Sequence, residues 1–393
     1  MTARALLISL VALLAVGIAA LATQDPPVVT LGRNAGTGNL VLSPFSISLA
    51  LAMTYAGARG DTESQMAETL HFNLPQAEMH AAFNSPDLAL EKKQIDLDED
   101  QEPMKLNIAN AVWAEQTYPF LPEFLDIVAV NYGAGIHLAD FITQFEPARK
   151  EINRWVSERT EDRIKDLLPE GVLNTNTRMV LVNAIYFKAD WLSQFDADST
   201  HEAPFHLLDG TESTVDIMHD GMYIPHMQGN GFQAIELAYA GNTAAMEIIV
   251  PDQGNFENFD SSFNKEKYDE ILSGMQPASV QLGLPKFEFD RDFSLSDVLK
   301  NMGMADAFEG DKADFSGMTG DRDLFIGEVI HKAFVAVDEE GTEAAAATAV
   351  IMEATGAPVF DIILQIDRPF IFIIRDTVNG QILFIGRVLN PAG

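Results

Sequence analysis

Few of the side chains that usually carry catalysis are arranged for it in this 393-residue chain. There is no cysteine, which excludes thiol catalysis and thiolate metal sites. No G-x-S-x-G, P-loop or H-E-x-x-H occurs, and the nearest histidine pair, His201 and His206, is five apart, off a shared helical face. An enzyme is not expected, and neither is a cofactor or a bound metal. The residues that do combine into something lie from Val337 to Phe360, VDEEGTEAAAATAVIMEATGAPVF. What they offer is a change of conformation. The stretch continues the alternating, strand-like run His331 to Val337, passes through Gly341, and enters the small residues Ala344 to Ala347. Alanine and glutamate have the best helix propensities, so the run reads as helix. Its parity reads as strand. From Thr342 to Ala354 the even positions carry no charge, and both glutamates, Glu343 and Glu353, are odd. A segment that encodes both is a candidate switch.

Other elements must position such a switch. Leu40-Val41-Leu42 reads as a short strand, and Ser43-Pro44 opens a helix with Ser43 as its N-cap. Phe45 to Tyr55 is apolar almost all round, so that helix is expected to be buried, and Ser43, Ser46 and Ser48 then need internal partners. Leu106 to Glu115 alternates as a half-buried strand. Glu146 to Ile164 has the spacing of an amphipathic helix that lies across a sheet. Gln76 to Phe83 reads as a helix that Asn84-Ser85-Pro86 ends. Met179 to Phe187, MVLVNAIYF, is short enough to be a fully buried strand. The amide of Asn183 within it costs several kcal/mol unless it is hydrogen-bonded. Two apolar strands around Asn379-Gly380 close the chain as a hairpin.

In this order the motifs resemble the serpins, the serine-protease-inhibitor superfamily. EEGTEAAAAT is similar to the hinge of their reactive-centre loop, and the stretch opening at Ser43-Pro44 is similar to their S-P-x-S-I motif. The resemblance continues through Ile152-Asn153-Arg154-Trp155-Val156 and ends in F-x-G-R-V-x-N-P, covering about Asn39 to Pro391. Two positions depart from it: Asp162 stands where the family has Gly, and Arg163 where it has Lys. Thr23 to Gly38 is also too short and too rich in Pro and Gly for the helix that serpins carry there.

The resemblance implies one α+β domain from 23 to 393, with one large, mainly antiparallel sheet, two smaller sheets and about eight helices. It implies a suicide inhibitor: a protease attacks the loop (about 341–360) through its serine and forms an acyl-enzyme. The cut loop then enters the main sheet as a new strand and drags the protease with it. Glu339, Gly341, Thr342, Glu343, Ala344, Ala345, Ala346 and Ala347 form the hinge in this reading. Ser43, Ser46, Asn183 and His331 form a polar cluster beneath the sheet, the shutter. The family's spacing puts the reactive bond at Thr355-Gly356, with Ala354-Thr355 and Met352-Glu353 as alternatives. A Thr or Ala before the bond suits a small, apolar specificity pocket, elastase-like or subtilisin-like. There is no Arg or Lys from Gly341 to Pro358, which argues against a trypsin-like target, and cysteine proteases stay as an alternative. A serpin-like carrier, binding protein or chaperone without inhibitory activity is the competing reading.

The formal net charge of −33 excludes nucleic acid and anionic membranes as expected partners. The acidic run Asp96 to Glu102 lacks the spacing of a Ca²⁺ loop and reads as a solvated surface. At the N-terminus, Arg4, the apolar Leu6 to Ala20 and Ala20-Leu21-Ala22 read as a secretory signal peptide over 1–22. A secreted or periplasmic monomer is expected, held together without disulfides.

Overall fold

The computed structural model describes residues 38–91, 104–132, 136–342 and 360–393. The signal segment, the acidic run and loop residues 343–359, with Glu343, Ala344 to Ala347, Thr355 and Gly356, lie outside the described residues.

β1 (Leu40–Leu42) leads to Ser43, whose hydroxyl accepts the Ser46 N–H and so caps α1 (Pro44–Tyr55), with Pro44 at its first position. All but one of the helix's residues are buried, as its all-round apolar sequence predicts. α2 (Gly60–Leu70) and α3 (Gln76–Glu91) follow. α3 runs through Asn84-Ser85-Pro86 instead of ending there. One proline removes a single helical bond, and the good helix formers Ala81, Ala82, Leu88, Ala89 and Leu90 flank it. β2 (Lys105–Glu115), α4 (Pro122–Tyr132), β3 (Ile136–Ala139), α5 (Phe141–Arg159) and β4 (Met179–Asp190) come next.

β5 (His201–His206), β6 (Glu212–Gln228), β7 (Phe232–Ala238) and β8 (Ala244–Pro251) form an antiparallel series, followed by α6 (Phe256–Ser262) and α7 (Lys265–Gly274). After these come β9 (Gln276–Pro285), β10 (Phe287–Ser294), α8 (Ser296–Met302) and α9 (Ser316–Thr319). The last strands are β11 (Glu328–Val337), β12 (Gly341–Thr342), β13 (Ile362–Gln365), β14 (Phe370–Asp376) and β15 (Ile382–Val388).

The strands form two sets. One is a six-stranded sheet in the order β10-β11-β12-β4-β2-β3. The other is a nine-stranded network, β1-β15-β14-β8-β7-β6-β9-β13 with β5 on β6. The two smaller sheets expected from sequence share β6, which pairs with β9 along most of its length and with β7 at its end, so hydrogen bonding runs on from one into the other. The α+β class holds.

Sequence parity decides which core each strand feeds. On β4, Ile185, Phe187 and Ala189 point into the core shared with the nine-stranded network. Val180, Val182, Ala184 and Tyr186 point the other way, beneath α5 with Ile152 and Val156. A strand covered on both faces cannot alternate with polar residues, which explains the continuous apolar run. β2 is buried on both faces from Ala109 to Glu115, more fully than its alternation suggested, because the same helix covers its outer side. α6 and α7 cover the far face of the network.

α5 begins at Phe141, earlier than its spacing implied, because the buried Glu115 carboxylate accepts the Phe141 and Ile142 N–H groups and Asp140 accepts that of Thr143. It ends where Glu161 (φ 49°) and Asp162 (φ 63°) turn left-handed.

Candidate functional site

The six-stranded sheet contains a wedge. β4 and β11 run parallel and pair directly over Val180–Ile185 and Glu328–Ala333. Beyond Ala333 they no longer pair, and the two residues of β12 sit between them, antiparallel to both: Thr342 lies opposite Val337 and Ala189, and Gly341 opposite Asp190. The chain thus leaves β11, reverses, and starts down the gap between β11 and β4.

The reversal is built from side-chain and backbone bonds. Asp338 Oδ1 accepts the N–H groups of Glu340 and Gly341, and the Asp338 N–H donates to the Gly341 carbonyl. Trp191 and Phe195 donate backbone N–H groups to the Glu340 and Glu339 carbonyls at 2.8 and 2.9 Å. The Trp191 indole N–H donates to the Asp338 carbonyl. Lys286 Nζ and Thr200 Oγ1 each reach the Glu339 carboxylate at 2.7 Å, which holds it below the usual carboxylate range against the opposing effect of burial. Gly341 has an ordinary negative φ, so packing and not left-handed freedom requires glycine here. A Cβ would overlap the Ala189 carbonyl oxygen and lie 2.7 Å from Asp190 Cα. Thr342 is 1% exposed, and its hydroxyl bonds Tyr239 Oη at 2.7 Å. The Tyr239 ring stacks on Trp191 with centroids 4.6 Å apart.

Lower in the sheet lies one polar row. Asn110, Asn183 and His331 are adjacent across β2, β4 and β11. The Asn183 amide donates to Ser46 Oγ and Asn110 Oδ1, and its oxygen bonds His331 Nδ1. His331 Nε2 accepts the Ser43 N–H at 3.1 Å. That acceptor role places the neutral imidazole's proton on Nδ1, donating to Asn183. Ser46 Oγ donates to Asn110, whose amide returns a bond to the Ser46 carbonyl. Burial alone pushes the His331 pKa down to about 3.

The structure therefore brings Ser43, Ser46, Asn183 and His331 into one network, and Glu339, Gly341 and Thr342 into one reversal. Sequence reasoning missed Asn110, Trp191, Tyr239, Lys286 and Thr200. Asn110 was findable: an amide flanked by Ala109 and Ala111 in an apolar strand poses the same problem as Asn183. Among the described residues, no group of acidic or histidine side chains is arranged to hold a metal ion.

The sequence pattern of the family Serpin (serine protease inhibitor) matches residues 29–391. The chain belongs to the serpin family. Its relatives include the leukocyte elastase inhibitor of Xenopus laevis, 40% identical over 92% of this serpin and 95% of the relative. The Homo sapiens leukocyte elastase inhibitor is 37% identical, covering 92% of this chain and 96% of its own. In structure the protein is similar to Serpin48 of the insect Tenebrio molitor, with TM-score 0.82, 31% identity, and 96% and 98% of the two chains covered. It is also similar to human thyroxine-binding globulin complexed with thyroxine, with TM-score 0.84, 30% identity, and 93% and 97% covered.

Proposed function

We propose that this serpin is a secreted suicide inhibitor of serine endopeptidases with a small, apolar specificity pocket. Family and relatives support inhibition of serine proteases as against enzymatic activity. The observation that carries the mechanism is the pairing of Thr342 with Val337 and Ala189.

Each further loop residue entering the gap would step back by one along both strands. Ala344 would then meet Val335 and Phe187, Ala346 would meet Ala333 and Ile185, and Thr348 would meet His331 and Asn183. Those last two pairs are already partners across the closed part of the sheet, so the strands need to part without sliding. The even residues would follow Thr342 toward the interior, where Val335, Ala333, Phe187 and Ile185 leave room only for uncharged side chains. Glu343 would face the other side, and the Thr348 hydroxyl would reach the polar row of His331 and Asn183. This one register accounts for the parity of the whole loop.

About a dozen new ladder bonds, at roughly 0.5–1.5 kcal/mol net each, rival the entire stability of an ordinary fold. That is sufficient to drive insertion of a tethered protease. In this reading cleavage falls at Thr355-Gly356, and the small residue before the bond agrees with the elastase inhibition in the relatives' names. Arg4 through Ala22 supplies the export signal, so the secreted product should begin at Thr23.

The test is incubation with elastase-type and subtilisin-type endopeptidases. A denaturant-resistant covalent complex, and a cleaved form that melts well above the intact one, are expected. Cleavage without complex or added stability would favour a non-inhibitory binding or carrier protein.

A further inference from the structure

Among the described residues, the two most exposed large apolar side chains are Tyr223 (78%) and Ile363 (74%), well apart in sequence and close in space. In the nine-stranded network Gly221, Gln281 and Ile363 form one row across β6, β9 and β13, and Tyr223 follows Gly221 by two positions on β6. Cross-strand partners and residues two apart share a face, so both side chains stand on the outer surface of the same three strands. The inner face of these strands is ordinary core, with Met222, Val280, Leu282 and Leu364 buried. Between the exposed pair lies Phe360, whose ring rests against Gly221 in the space a Cβ would fill. The Asp361 N–H donates to the Ser279 carbonyl at 2.9 Å and anchors the chain there. Tyr223, Phe360 and Ile363 thus make an outward apolar patch at the point where the loop rejoins the body.

We infer that this patch is a secondary docking surface for the attacking endopeptidase, engaged by the face of the protease beyond the leaving-group side of its active site. The inference rests on the inhibitory reading. Covalent reach decides the occupant. Gly356 is four residues before Phe360, a span of at most about 14 Å at 3.3–3.6 Å per residue. A protein docked with an ordinary interface of about 800 Å² covers a disc of roughly 16 Å radius around its centre. A protease on the Thr355-Gly356 bond must therefore overlie the patch or tilt away from it. An exposed tyrosine beside an aliphatic residue is the kind of group that anchors such contacts. Asp361, exposed and two positions before Ile363 on the same face, flanks the patch in a chain of net charge −33, so the matching protease face is apolar with a cationic rim.

The test uses the full chain with the double substitution Tyr223→Ser and Ile363→Thr, both of which keep strand-compatible residues on a solvent-facing surface. The rate constant for attack on the loop is measured against a panel of elastase-type and subtilisin-type endopeptidases, counting complex and cleaved product together. At least a fivefold fall for the fastest protease is expected, with the melting temperatures of intact and cleaved forms unchanged. Rates within twofold of the parent across the panel would overturn the patch and leave the inhibitory reading intact. A parent chain that no protease in the panel attacks would overturn both.

Discussion

The backbone of Gly341 passes so close to Ala189 that a methyl group at position 341 would overlap the Ala189 carbonyl oxygen. The loop's entry into the sheet is therefore set by a steric fit that one carbon atom would spoil. Gly341→Ala should push β12 away from β4, at about 1–3 kcal/mol for overpacking a buried contact. The expected result is a lower melting temperature for the intact protein and a larger fraction of substrate-like turnover per complex formed. Unchanged values for both would show that the gap between β4 and β11 is looser than its geometry implies.

Thr342 tests the next step. Its hydroxyl bonds Tyr239 in a buried site between β4 and β11. Thr342→Arg would have to bury a guanidinium where Thr342 now sits, which costs several kcal/mol and would hold the start of the loop out of the sheet. Cleavage by the target should continue at a normal rate, because the bond lies well away from this position. Covalent complex should be lost, and the cleaved form should melt no higher than the intact one. Persistence of complex in denaturing gels would contradict the insertion register.

How much of this was readable beforehand depended on whether a residue's role was local. Ser43 announced a helix start through its own type and its proline neighbour, and Asn183 announced a buried partner through its apolar surroundings. The partners themselves were not readable. Trp191 and Tyr239 meet Asp338 and Thr342 only because β4, β7 and β11 are brought together across a hundred or more residues. Gly341 looked like a pivot, since a sequence does not show that another strand's carbonyl lies against it. Helix ends failed for a related reason: Glu115, on another strand, caps α5 and starts it early.

Asp162 shows a local rule broken within this serpin. It holds φ 63°, a left-handed conformation that glycine adopts without strain, at a position where the resemblance to the family leads one to expect glycine. Its carboxylate recovers part of the cost by accepting the Ser157 hydroxyl at 2.7 Å. Asp162→Gly should stabilise the intact protein by up to about 1 kcal/mol, while Asp162→Val should destabilise it by more than that. Thermal unfolding of the three proteins side by side decides it, and equal stability of the Val and Gly variants would refute the backbone argument.

His331 makes the sheet sensitive to acid. Its folded-state pKa of about 3 lies below the 6.5 of a free imidazole, so between these values the unfolded chain binds the extra proton. Stability from this group is complete above pH 6.5 and is lost as pH falls toward 3. By pH 4 the loss approaches roughly 3 kcal/mol as an upper bound. Protonation would set an Nε2–H against the Ser43 N–H, breaking the link between β11 and α1. His80, also buried and lowered to about 4, contributes in the same window, so the parent's slope alone cannot be assigned. His331→Asn keeps an amide donor near Asn183 and has no titration. It should be less stable than the parent at pH 7.5 and lose less stability between pH 6.5 and 4. Parallel slopes for the two proteins would place the acid response elsewhere.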